Sequence, residues 1–253
     1  FVGIGKLGGG FEYEPEDMNR GLSARAKGLI AQAYKGLDEN EIMDYHTHIV
    51  GMGEVPGQTW VNPNLLTTWN PMKLVRRHVY MEAGGVTSIR HADSQFINRL
   101  LRLIRGTGHK GKYAILGFDR NYNKDGSRND PGTEFSVSNA YIFQLSEKYP
   151  DYFRPVISVH PYRKDALAAL RRGASKGARL VKWLPNAMGI DPSDPLCIPF
   201  YDAMRELGMS LLSHAGEEKA VTSEGSQKFG NPLRIRSALN RGVKVVVAHG
   251  ASR

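Results

Sequence analysis

The sequence predicts an α/β fold in which parallel strands, joined by crossover helices, curl toward a barrel. Three observations carry that expectation. Strand-like and helix-like segments alternate along the chain, the order of βα units rather than of hairpins. Four strand-like runs end on a basic side chain, at His46, Lys182, His214 and His249. A strand buried on both faces is apolar, so a basic residue ending such a run stands at the carboxyl rim of the sheet, where side chains from several strands meet. Finally, 253 residues is a length at which one α/β barrel forms a single domain. The expected division is an N-terminal extension and helix over residues 1–40 and a barrel-like domain over 41–253.

The first strand is predicted from Glu41 to His46, with His48 two residues on. Residues two apart on a strand share a face, so both imidazoles can offer a nitrogen to one divalent ion. Asp44 has the parity of His46 one pleat deeper and is expected to hold an imidazole. Val86 to His91 is β-branched, but the helical spacing of Phe96 to Ile104 makes the region a helical or irregular insert. The second strand runs from Tyr113 to Phe118. Asp119 follows it as a candidate substrate contact, and the polar turns of Asn121 to Glu134 form a loop at the strand's end. A helix over Ser138 to Tyr149 stops before Pro150.

The third strand, Arg154 to Val159, leads into His160, Tyr162 and Arg163, candidates for an anionic or polar substrate group. A helix over Lys164 to Arg172 precedes the fourth strand, Arg179 to Leu184, which carries Lys182, with Asn186 at its rim. Pro199 to Leu207 is a helix closed by Gly208, and the fifth strand, Met209 to His214, is followed by the rim residues Glu217 and Glu218. Asn231 caps a further helix, with Pro232 in its first turn and Gly242 beyond its end. The sixth strand runs from Val243 to His249. His78, His91 and His109 fall on helix-like or loop segments and are expected at the surface or in packing.

The formal charge is +9, yet the basic residues are scattered, with no block of five or six like charges and no interleaved aromatics, so no nucleic-acid partner is expected. The single cysteine, Cys197, excludes an internal disulfide framework and a cysteine-based zinc cluster, and is expected to be a buried structural thiol. No apolar run reaches the roughly 18 residues of a membrane-spanning helix. A soluble, cytoplasmic domain is the default, and a signal or anchor upstream of Phe1 would not be visible in this chain.

Lys182 is the least usual member of the rim set, because an ammonium has no lone pair for a metal. Buried beside cations it loses its proton, and the neutral amine can take up carbon dioxide to give a carbamate that bridges two metals. The alternative is a lysine reaching an anionic substrate or a carboxylate. The pattern HxH, Lys182, His214 and His249 on successive strands resembles the amidohydrolase superfamily. The phrases VKWLPNAMGIDP, SHAGEE and GNPLRIRSAL resemble its amidohydrolase-related branch.

That resemblance implies a (β/α)8 TIM-barrel-like fold and one or two divalent ions, most often zinc. It implies hydrolysis of a small-molecule substrate in which metal-bound water attacks an amide, ester or related bond. His46, His48 and His214 are the expected metal ligands and Lys182 a possible carbamylated bridge. His249 either binds a second metal or orients the attacked oxygen. The resemblance also implies an aspartate on an eighth strand, and the chain departs from the pattern there: about six of eight strands are present before Arg253. Unpaired strand edges would favour a homo-oligomer. A metal-dependent decarboxylase on the same scaffold and a basic, non-catalytic binding module are the alternatives.

Overall fold

The computed structural model describes residues 21–65, 79, 81–108, 111–218, 221 and 225–251. His78 and His109 lie outside the described residues. Among the described residues eight strands form three small sheets. One parallel sheet has the order β1 (Met43–His48), β3 (Lys112–Leu116), β5 (Phe153–Val156), and a second has β6 (Leu180–Trp183), β7 (Ser210–His214), β8 (Val245–Ala248). β2 (Thr59–Val61) and β4 (Phe135–Val137) form an antiparallel pair. The helices whose bounds lie within the described residues are α1 (Ala24–Ala33), α2 (Ala92–Gly106), α3 (Asn139–Lys148), α4 (Ala166–Ser175), α5 (Pro185–Met188), α6 (Ile198–Glu206) and α7 (Arg236–Asn240).

The incomplete (β/α)8 barrel expected from the sequence is therefore corrected: the described strands form two parallel three-stranded sheets and an antiparallel pair, with no closed barrel. Closure requires a ladder on both sides of every strand. Among the described residues β1 and β8 each have a ladder on one side only, and Val246 and Val247 of β8 are 46% and 42% exposed. Among the described residues the two parallel sheets meet at a single bridge between Ile157 and Val181, where the Lys182 N–H donates to the Ile157 carbonyl at 2.8 Å.

Alternation along the strands sorts their side chains between two apolar clusters. Ile115, Phe153, Val181 and Leu211 pack with the helices, against residues such as Leu101, Ile142, Leu170 and Phe200. The opposite parity forms a smaller cluster of Ala114, Leu116, Val156, Leu212 and Ala248, with Met43 and Leu180 against it. All six parallel strands contribute to that second cluster, so the two sheets share this face although one bridge alone joins them.

Local signals explain the helix limits. The Ser138 hydroxyl accepts the Tyr141 N–H at 3.2 Å and starts α3. The Asn231 side chain accepts the Leu233 N–H at 3.0 Å, opening a 3-10 turn over Pro232–Ile235 that continues into α7. Gly208, at φ +63°, turns the chain out of α6 in the left-handed region that a side chain would strain. Among the described residues no helix is long and apolar enough to cross a membrane.

Candidate metal centre

The sheet geometry brings five nitrogen-bearing side chains together. Lys182 lies on β6, His214 ends β7, and His249 follows β8 directly. His46 and His48 come from the carboxyl end of β1 by way of a register irregularity between Asp44 and Thr47 in its pairing with β3. Such an irregularity re-aims side chains. Met43 packs in the small shared cluster, whereas Thr47 and Ile49 are buried, with Ile49 in the helix-side core. Even and odd positions have thus exchanged faces across the irregularity, which turns His46 and His48 to the shared face. The same exchange corrects the reading of Asp44. Its Oδ1 accepts the His46 backbone N–H at 2.8 Å instead of holding an imidazole.

The cluster is tight. The Nε2 atoms of His46 and His48 are 3.0 Å apart, and Lys182 Nζ is 3.3 Å from His46 Nε2. The His46 and His48 rings, the His46 and His249 rings, and the His214 and His249 rings each have centroids 4.9 Å apart. His249 takes φ +58° in a turn where Gly250 and Ala251 are also left-handed. For a residue with a side chain that conformation costs roughly 1–2 kcal/mol, and such strain tends to collect at functional positions.

Electrostatics favour neutral donors. Burial, followed by the Lys182 charge, lowers His46 to about 4 and His48 to about 3. His48 keeps solvent access on one side, which weakens the push from burial; Lys182 and the neighbouring histidines act in the same direction. Lys182, 1% exposed, is pushed down to about 8 by burial, with Glu218 opposing. His214 is also lowered, by burial first, against the pull of Glu218. The His214 ring hydrogen-bonds the backbone of Glu217, while its Nε2 is buried with no hydrogen-bond partner. The bond is therefore made by Nδ1. In the neutral ring with its proton on Nδ1, Nε2 is the nitrogen that offers a lone pair.

A divalent ion fits this donor set on chemistry. Two nitrogens bound to one zinc at 2.0–2.1 Å in tetrahedral geometry are about 3.3 Å apart, close to the spacings of His48, His46 and Lys182. Among the described residues no three His, Cys, Asp or Glu side chains already stand as a ready ion cage. His46 and His48 direct their Nε2 atoms at each other. No model of a known protein family matches the chain.

The remaining sequence candidates have other partners. Asp119 accepts the His160 N–H at 2.8 Å, the Arg120 N–H at 2.9 Å and Arg163 Nη1 at 2.9 Å. Burial raises its pKa against the pull of Arg163. His160 is fully buried, its Nε2 donating to the Met188 carbonyl at 2.9 Å and its Nδ1 accepting the Tyr162 N–H at 3.2 Å. It is a satisfied core histidine. The Tyr162 hydroxyl accepts from the Asp191 N–H at 3.3 Å, and Arg163 also clamps Asp165. Asn186, 1% exposed, donates to the Gly216 carbonyl at 3.1 Å and to Gln227 Oε1 at 2.9 Å, fixing the loop after His214.

Glu217 is exposed. Its neighbour Glu218 is buried and brings Oε2 to 3.7 Å from His214 Nε2. The sequence names both glutamates as rim residues without separating them. The separating signal is the four-residue step from His214, which here folds Glu218 back onto the imidazole. Cys197 is buried and unpaired, and burial pushes its thiol up.

Proposed function

We propose that this chain is a metal-dependent hydrolase of the amidohydrolase type, acting on an amide, ester or related bond of a small molecule. One observation carries the reading: the His46, His48, His214, His249 and Lys182 side chains gather at the carboxyl ends of four parallel strands, with His214 Nε2 buried and without a hydrogen-bond partner. A bound zinc-like ion supplies Lewis acidity and a hydroxide nucleophile near neutral pH.

The protein's own contribution is placement and charge. His46, His48 and His214, held toward their neutral forms, offer lone pairs without first losing protons, and the Nδ1 bond of His214 fixes which nitrogen does so. His249, its ring between those of His46 and His214, is placed either to bind a second ion or to donate a hydrogen bond to the oxygen of the bond under attack. With a pKa of about 8, Lys182 keeps a minor neutral population at pH 7, the form that carbamylation needs; its charged form suits an anionic substrate group. Glu218 offsets positive charge beside His214 and Lys182. No observation among the described residues favours the decarboxylase or the basic binding module.

The test is zinc content by mass spectrometry after equilibration and desalting, alongside hydrolysis of a panel of amides, esters and lactones. The native chain should retain one or two ions. His46→Ala should lose most of them, whereas His91→Ala, at an exposed histidine paired with Glu54, should not. Equal zinc in the two variants would refute the reading.

A further inference from the structure

A cavity of about 770 Å³ lies between the β2–β4 pair and helices α3 and α4, and none of the five cluster side chains lines it. Its size is that of sites for small organic molecules. Trp60, Phe118, Phe143 and Ile157 give it apolar walls. Arg120, Arg128, Arg163, Arg172 and Lys176 also line it. The four arginines pair with three carboxylates, Asp119, Asp130 and Asp165, and Lys176 adds a further cation, which leaves positive charge in excess.

The carboxylates orient the guanidiniums without exhausting their donors. Arg120 Nη1 donates to Asp130 at 2.9 Å, and its Cζ stacks 3.8 Å from the centre of the Trp60 ring. Its side chain is 21% exposed, yet no unpaired nitrogen of Arg120 is sealed from solvent. A guanidinium has five N–H donors, so most of those on Arg120 remain for a ligand. Arg163 is pinned by Asp119 and Asp165 and stands 5.6 Å from the Tyr122 ring. Lys176 lies 5.3 Å from the Phe143 ring centre and has no carboxylate partner among the described residues. Aromatic walls beside fixed, incompletely used guanidiniums form a receptor for a flat molecule bearing an oxyanion.

We propose that this cavity binds a small aromatic oxyanion, an aryl carboxylate, phosphonate or phosphate, with its ring against the Trp60 and Phe143 walls and its charged group met by Arg120 and the neighbouring cations. The site is separate from the histidine cluster and does not depend on a metal there. The experiment is calorimetric titration of the full chain with phenylphosphonate, with methylphosphonate and benzyl alcohol as ligands lacking the ring or the charge. Phenylphosphonate should saturate, and each comparison ligand should bind at least about tenfold more weakly, as expected for loss of one charge-assisted or apolar anchor.

Arg120→Gln should weaken phenylphosphonate about tenfold on the same scale. Lys176→Gln, at an exposed position that leaves the ion-pair network intact, should weaken it several-fold, and His46→Ala should leave it unchanged. Three results would each overturn the proposal: no saturable binding, affinity unchanged in both Arg120→Gln and Lys176→Gln, or affinity abolished by His46→Ala.

Discussion

Replacing Lys182 by methionine should stabilise the metal-free protein at pH 7, although Lys182 stands at the centre of the candidate site. Lys182 is 1% exposed, and its ammonium lies 3.3 Å from His46 Nε2. Burial lowers it from 10.5 to about 8, which at 1.36 kcal/mol per pH unit is about 3 kcal/mol against the charged form. Methionine keeps the unbranched volume without the charge. Glu218 loses a favourable neighbour, so the net gain should be about 1–3 kcal/mol.

The sign with pH follows from linkage. Between about 8 and 10.5 the unfolded chain holds the Lys182 proton more tightly than the folded one, so native stability rises with pH in that window. The advantage of Lys182→Met should therefore be full below about pH 8 and fade toward 10.5. Urea unfolding of both proteins in chelator and carbon-dioxide-free buffer, from pH 7 to 10, measures the difference. A gap that does not change with pH, or a variant less stable at pH 7, would refute the buried-charge argument.

Three further outcomes follow from the same geometry. His46 and His48 titrate well below the ordinary histidine value, so metal-free stability should fall as pH drops from 6.5 toward 4, because the unfolded state takes up protons first; His46→Ala should flatten part of that slope in thermal melts. Asp119→Asn leaves Arg163 without one carboxylate and weakens the bonds from His160 and Arg120, so unfolding free energy should drop by about 2–4 kcal/mol with zinc content unchanged. Gly230→Ala drives a methyl group into the Gly216 carbonyl and the Asn186 side chain, so it should cost about 1–3 kcal/mol and lower zinc affinity by shifting the loop after His214; unchanged stability would show that this loop is free to move.

Much of the local structure was legible in the chain. All six expected parallel strands are present, within about two residues at most ends, because alternation and apolar runs are local patterns. Ser138, Gly208 and Asn231 stop or start helices as their chemistry requires. The short β2 and β4 were missed, since three residues are too few to show a period, and their pairing joins segments more than 70 positions apart.

What the sequence by itself determined is the order of the strands and the placement of His46, His48, Lys182, His214 and His249 at or just beyond their carboxyl ends. Those properties depend on neighbours along the chain. Tertiary structure alone decided that the strands form separate sheets, that an irregularity in β1 turns His46 and His48 to the shared face, that Asp119 and His160 are committed to internal partners, and that Arg163 is held by Asp119 and Asp165. It also decided that Glu218 is the glutamate held beside His214. The reason is physical: pairing, register and the satisfaction of a buried polar group depend on atoms distant in sequence, and a one-residue change of register reverses which side chains face the site.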